Sequence, residues 1–197
     1  MTQIKRIELV TLFIILSLII FRIFAGMQLH VLLRVFLVLI AIFYMWSGFF
    51  LFTGMSIKDL FNERKRNELS PKKVTSSISA GFIYSLSFIA IIHSIDFYRG
   101  MQILAGIAFS LNLFIVGFIL FLWIRKKGIS KFNQQFFIRS TVLVFFFASV
   151  LLTPVETKLN VLYKDHPRFI EAYTEYIDDP EDPEKLNILR EERSAFR

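Results

Sequence analysis

The chain has 197 residues, 55% of them hydrophobic and 24 of them Phe, with a mean hydropathy of +0.57. A soluble domain of this length lacks the polar surface to cover such a core, which excludes a conventional globule and a disordered chain alike. Cysteine is absent, so disulfides, thiolate metal sites, iron–sulfur clusters and a cysteine nucleophile are excluded as well.

The charges are unevenly divided. The whole chain carries 23 basic and 16 acidic residues, but residues 153–197 hold 7 basic and 11 acidic ones and residues 1–152 hold 16 and 5. The basic residues lie between apolar segments, so they read as determinants of membrane topology rather than as a nucleic-acid footprint.

A hydrocarbon core of about 30 Å needs about 20 mostly apolar residues per helix. Taken in order, 9–25, 31–53, 74–96, 101–124 and 136–152 satisfy or approach that requirement. The pattern predicts an all-α polytopic transmembrane helix bundle of five spans within 1–153, followed by an acidic helical tail at 154–197. Arg22, Arg34 and Arg139 fall near span ends, where long side chains reach the headgroups. A signal peptide is the alternative for the first span, with Ala25 as cleavage residue, although Ile23 is not the small residue such a site wants.

Lys58, Arg64, Lys65, Arg66, Lys72 and Lys73 crowd the connection between spans two and three. Arg125, Lys126, Lys127 and Lys131 crowd the one between spans four and five. The positive-inside rule then makes both connections and the N-terminus cytoplasmic and the tail external, by default at a bacterial inner membrane. The first of these connections has two readings, an ordinary topology-setting turn or a basic amphipathic segment for anionic lipid.

Small residues recur at helical spacing: Ser77, Gly81 and Ser85 in span three, and Gly106, Ser110 and Gly117 in span four. Such spacing lets backbones approach closely, as helix-packing seams or as an oligomer contact. Asn112 is the one strongly polar residue near the middle of a span, expected to face other helices. Span four therefore reads as central and the Phe-rich fifth as peripheral. No Asp, Glu, Lys or Arg falls at mid-membrane depth in these spans, which weighs against ion-coupled transport.

Three His residues exist. His30, His93 and Asp96 group near the outer face, with His93 and Asp96 on one helix face, and they have the side-chain types of a divalent-metal site. A hydrogen-bonded interfacial cluster is the competing reading. Axial ligation of a haem by His30 and His93 is a further reading that their unequal depths weaken. Walker A, GxGxxG, GxSxG, HExxH and CxxC motifs are missing, and neither a cofactor nor a catalytic residue is predicted.

In the tail, Phe169, Ala172, Tyr173, Tyr176 and Ile177 share one helix face. Asp179-Pro180-Glu181 and Asp182-Pro183-Glu184 both resemble helix starts, with Asp as cap and Pro at the first position. The aromatic residues Phe169, Tyr173 and Tyr176 are expected to dock a partner or to fold back on the outer rim. The composite expectation is a non-catalytic membrane subunit or assembly scaffold whose partners are the lipid bilayer and either another membrane protein or a second copy. A small oligomeric transporter or channel is the alternative, and a metal, redox or lipid-handling enzyme built on the His93/Asp96 rim is the third reading.

Overall fold

A computed structural model describes residues 3–25, 30–67, 69–126 and 128–194, and these residues contain helices and no strand. The helices are α1 (Gln3–Ala25), α2 (His30–Thr53), α3 (Ile57–Leu60), α4 (Glu63–Asn67), α5 (Pro71–Ile95), α6 (Met101–Lys126), α7 (Lys131–Leu152), α8 (Val155–Leu162), α9 (Pro167–Asp178) and α10 (Pro183–Ser194). Four of them are long and apolar enough to cross a membrane: α2, α5, α6 and α7. The protein is an all-α integral membrane protein. The expected first span is helical as α1, but it is not among those four. The side chains of its last residues, 22–25, lie outside the described residues.

Local chemistry sets the helix ends. Ser70 caps α5, its Oγ accepting from the Lys73 N–H at 3.4 Å, and Pro71 occupies the first helical position. Pro154, Pro167 and Pro183 open α8, α9 and α10 in the same region of their helices. Asp182 caps α10, with its Oδ1 accepting from the Glu184 N–H at 2.8 Å. The other expected start, Asp179-Pro180-Glu181, is only a turn. A helix begun at Pro180 would run into Pro183, whose ring would clash with the Asp179 carbonyl one turn back.

The chain forms two compact units, one of Met1–Ile14 with Phe36–Leu152 and one of Ile15–Val35 with Thr153–Arg197. In the first, α5 is the most enclosed span: 56% of its apolar window is buried, against 17% for α6. This reverses the expectation that span four is central. The physical reason lies in the side chains. α6 is the more apolar helix, with a window hydropathy of 2.5 against 1.8 for α5, and lipid tolerates an apolar helix at the periphery better than a serine-rich one. Of the buried serines of α5, Ser77, Ser87 and Ser94 donate to the Lys73, Ile83 and Ala90 carbonyls of their own helix.

α2 and α5 touch backbone to backbone. A Cβ built on Gly48 would lie 2.7 Å from the Gly81 Cα, and one built on Gly81 would lie 2.7 Å from the Tyr44 carbonyl oxygen. Hydrogen in place of a side chain is what allows this crossing.

The second unit includes the three tail helices. Tyr163, Phe169, Ala172, Tyr173, Tyr176 and Leu189 are buried. The rings of Tyr163 and Phe169 meet at 4.5 Å, Phe169 and Tyr173 at 6.0 Å, and Tyr173 and Tyr176 at 6.2 Å, and Arg193 sits 5.8 Å over the Phe169 ring. Clustered rings of this kind add to ordinary apolar burial. Ile177, on the same predicted stripe, is exposed.

Candidate functional site: a buried charge pair in the bundle

Arg139 lies two turns into α7, and its side chain turns inward instead of reaching toward the headgroups. Its Nε donates to Glu8 Oε1 at 2.7 Å and its Nη2 to Glu8 Oε2 at 2.6 Å, while Nη1 donates to the Gln135 carbonyl at 3.0 Å. The forked guanidinium thus engages both carboxylate oxygens at once, the strongest neutralising geometry available to a side-chain pair. The Tyr44 hydroxyl donates to the same Glu8 Oε1. Glu8 is 4% exposed.

Aromatic rings surround the pair. Arg139 lies 5.3 Å over the Phe52 ring. Phe52 packs on Phe136 at 4.6 Å and Tyr84 at 5.7 Å, and Tyr44 stacks on Phe88 at 5.5 Å. The Tyr84 hydroxyl donates to the Phe136 carbonyl at 3.1 Å and shares a hydrogen bond with Ser140 at 3.0 Å. α1, α2, α5 and α7 therefore meet at one polar core enclosed by rings. Its low dielectric strengthens each contact and makes any unpaired member costly.

This overturns one expectation: Arg139 does not reach toward the headgroups but turns inward to Glu8. A first span starting at residue 9 left Glu8 outside. The signal was nevertheless present: Glu8 is the only acid before Asp59, and Arg139 is the only charged residue between Lys131 and Glu156. Both lie within about two to three turns of a helix N-terminus, so they can share a depth.

Asn112 is fully buried, and its Nδ2 donates to Ser87 Oγ and to the Ala108 carbonyl, each at 2.8 Å. The Ser87 hydroxyl in turn donates a hydrogen bond to the Ile83 carbonyl at 2.8 Å. The Asn112 Oδ1 is buried with no hydrogen-bond donor among the described residues. Ser77, Gly81 and Ser85 are buried in α5. Gly106 and Gly117 differ. Nothing lies within 4 Å of a Cβ built on either, and Ser110 beside them is exposed. The face of α6 that packs is Ala105, Ala108 and Asn112.

The metal candidates do not assemble among the described residues, where no group of three or more metal-ligating side chains occurs. Asp96 is buried at the C-cap of α5, and the His93 ring packs edge-on against Tyr98 at 5.2 Å. His30 opens α2, but its side chain lies outside the described residues. Between α5 and α6, Phe97 adopts φ 52° and is buried. The tail residues Phe169, Tyr173 and Tyr176 lie within the ring cluster of the second unit. Burial pushes the Tyr173 hydroxyl up to about 12, against the lowering influence of Arg193.

No family model, curated protein or solved structure matches this chain.

Proposed function

We propose that this integral membrane protein is a non-catalytic subunit or assembly scaffold that engages a cationic partner through α9 and the turn after it. The observation that carries this reading is the division of α9. Phe169, Ala172, Tyr173 and Tyr176 are buried, while Glu171, Glu175 and Asp178 are exposed. Glu171 and Glu175 stand one turn apart, where like charges repel by about 0.2–0.5 kcal/mol. The exposed Asp179, Glu181 and Glu184 follow. A self-repelling acidic surface on an ordered helix is relieved when a basic surface binds it.

The expected orientation puts both basic connections and the N-terminus inside a bacterial inner membrane and the tail outside. The chain has no cysteine of its own, so S70C and S194C variants should label from opposite faces of intact cells; labelling from one face contradicts this arrangement. The docking reading is tested by co-purification in mild detergent. A stoichiometric companion should accompany the native chain and be lost from an E171Q/E175Q/D178N variant. An identical set of companions for both forms rejects it.

A small oligomeric transporter is a second reading, and Glu8 favours it, because carboxylates inside a bundle commonly serve proton relays. Proton leak in proteoliposomes that E8Q abolishes without unfolding the protein would put this reading first.

A further inference from the structure

The connection between α2 and α5 is ordered. The Ser56 hydroxyl accepts from the Asp59 N–H at 3.3 Å, and Asp59 Oδ2 accepts from the Ser56 N–H at 2.9 Å, a reciprocal capping box. Asn62 Oδ1 accepts from the Arg64 N–H at 3.1 Å and so starts α4. Lys65 Nζ reaches Asp59 Oδ1 at 2.5 Å and ties the two short helices together. That contact and the Ser56 N–H hold the Asp59 carboxyl down at about 2.

This frame projects two large apolar side chains outward. Ile57 is 66% exposed and Phe61 85% exposed. They stand four residues apart, on one side of a helical turn. Lys58, Arg64, Lys65, Lys72 and Lys73 are exposed along the same connection.

We infer that α3 and α4 form an interfacial anchor, with Ile57 and Phe61 inserted among the headgroups of the bilayer that holds α2 and α5, and with Lys58 and Arg64 contacting anionic phospholipid. Position is the first support. The connection leaves one candidate span at Thr53 and enters the next at Pro71, so both of its ends lie at the membrane boundary. Ile57 follows Thr53 by four residues, a reach of at most about 14 Å. Charge is the second support. Residues 56–73 carry six basic and three acidic residues, and Asp59 is already engaged by Lys65 and Ser56. Apolar side chains flanked by cations at this depth match the composition of segments that lie in an anionic interface. The surface also continues along the same face. α5 leads away from that boundary and α6 returns to it, bringing the exposed Trp123 and an Arg125 that lies 5.1 Å over the Phe121 ring.

The test uses the full chain in lipid nanodiscs, where both faces are accessible. The chain has two Trp, Trp46 and Trp123, so F61W in a W46F/W123F background reports on one position. Discs of phosphatidylcholine alone are compared with discs in which half is replaced by phosphatidylglycerol. The F61W emission should be blue-shifted, quenched by lipid brominated near the headgroup end of its chains, and protected from aqueous acrylamide, more strongly in the anionic discs. Adding K58Q/R64Q should remove the difference between the two lipids while leaving the unfolding temperature unchanged. Emission that acrylamide quenches freely in both discs would leave the patch in water and overturn the inference. A lipid difference that survives K58Q/R64Q would overturn the role of these two cations.

Discussion

Glu8 and Arg139, separated by 131 positions in sequence, form a bidentate ion pair with contacts of 2.6 and 2.7 Å. Removing one partner strands the other charge in a ring-lined interior, a loss of about 3–5 kcal/mol. E8A and R139A should each lower thermal stability in mild detergent by that order. An E8M/R139M double variant, which leaves no charge behind, should recover most of it. Strictly additive losses across the double-mutant cycle would show that the two side chains do not act as a pair.

Gly81 and Gly117 should behave oppositely. A methyl group at Gly81 meets the Tyr44 carbonyl oxygen at 2.7 Å, whereas one at Gly117 meets nothing within 4 Å. Gly81→Ala must push α2 and α5 apart and should cost about 1–3 kcal/mol, the usual penalty for overpacking. Gly117→Ala should be neutral or stabilising, since Ala favours the helix by about 1 kcal/mol. Equal melting temperatures for the two variants would contradict the crossing. A large loss confined to Gly117→Ala would instead reveal a contact with a second copy.

Asn112→Leu should have a small effect despite the complete burial of the site. Hydrogen bonds across membrane helices average about 0.6 kcal/mol. The substitution also removes an Oδ1 with no donor among the described residues. The variant should unfold within about 1 kcal/mol of the native chain, and Ser87→Ala should match it. Intact folding with loss of the co-purifying companion would make Asn112 a functional residue.

Tyr173 provides a pH marker for the tail. Its hydroxyl is pushed up to about 12 by burial, above the value near 10 of an exposed tyrosine. Burial thus favours the neutral form. The tail keeps that contribution below about pH 10 and loses it as pH rises toward 12. Proteolysis within α9 should therefore stay slow through neutral and mildly alkaline pH and accelerate only above about pH 10. Tyr173→Phe has no proton to lose and should move the acceleration to higher pH. The same onset in both forms would show that another group controls the opening.

Membrane class and the approximate extents of the apolar helices were legible because length and hydropathy are local quantities. The four long spans, the Ser70-Pro71 helix start and the Asp182-Pro183 start all follow from residues that are neighbours in sequence. The false start at Asp179 was local too, and it failed because Pro183, four positions later, cannot sit inside a helix begun there. The interior depended on more distant partners. Composition marked α6 as central, yet α5 fills that place: Tyr84 donates to the Phe136 carbonyl on α7 and Ser87 accepts from Asn112 on α6, whereas a Cβ on Gly106 or Gly117 of α6 would meet nothing within 4 Å. Glu8 read as a charge before a span and Arg139 as a charge at the end of one. Each alone is best placed in water or among headgroups, so sequence by itself favours separating them. Only the folded bundle brings the two to one depth, and there their pairing makes burial of both charges tenable.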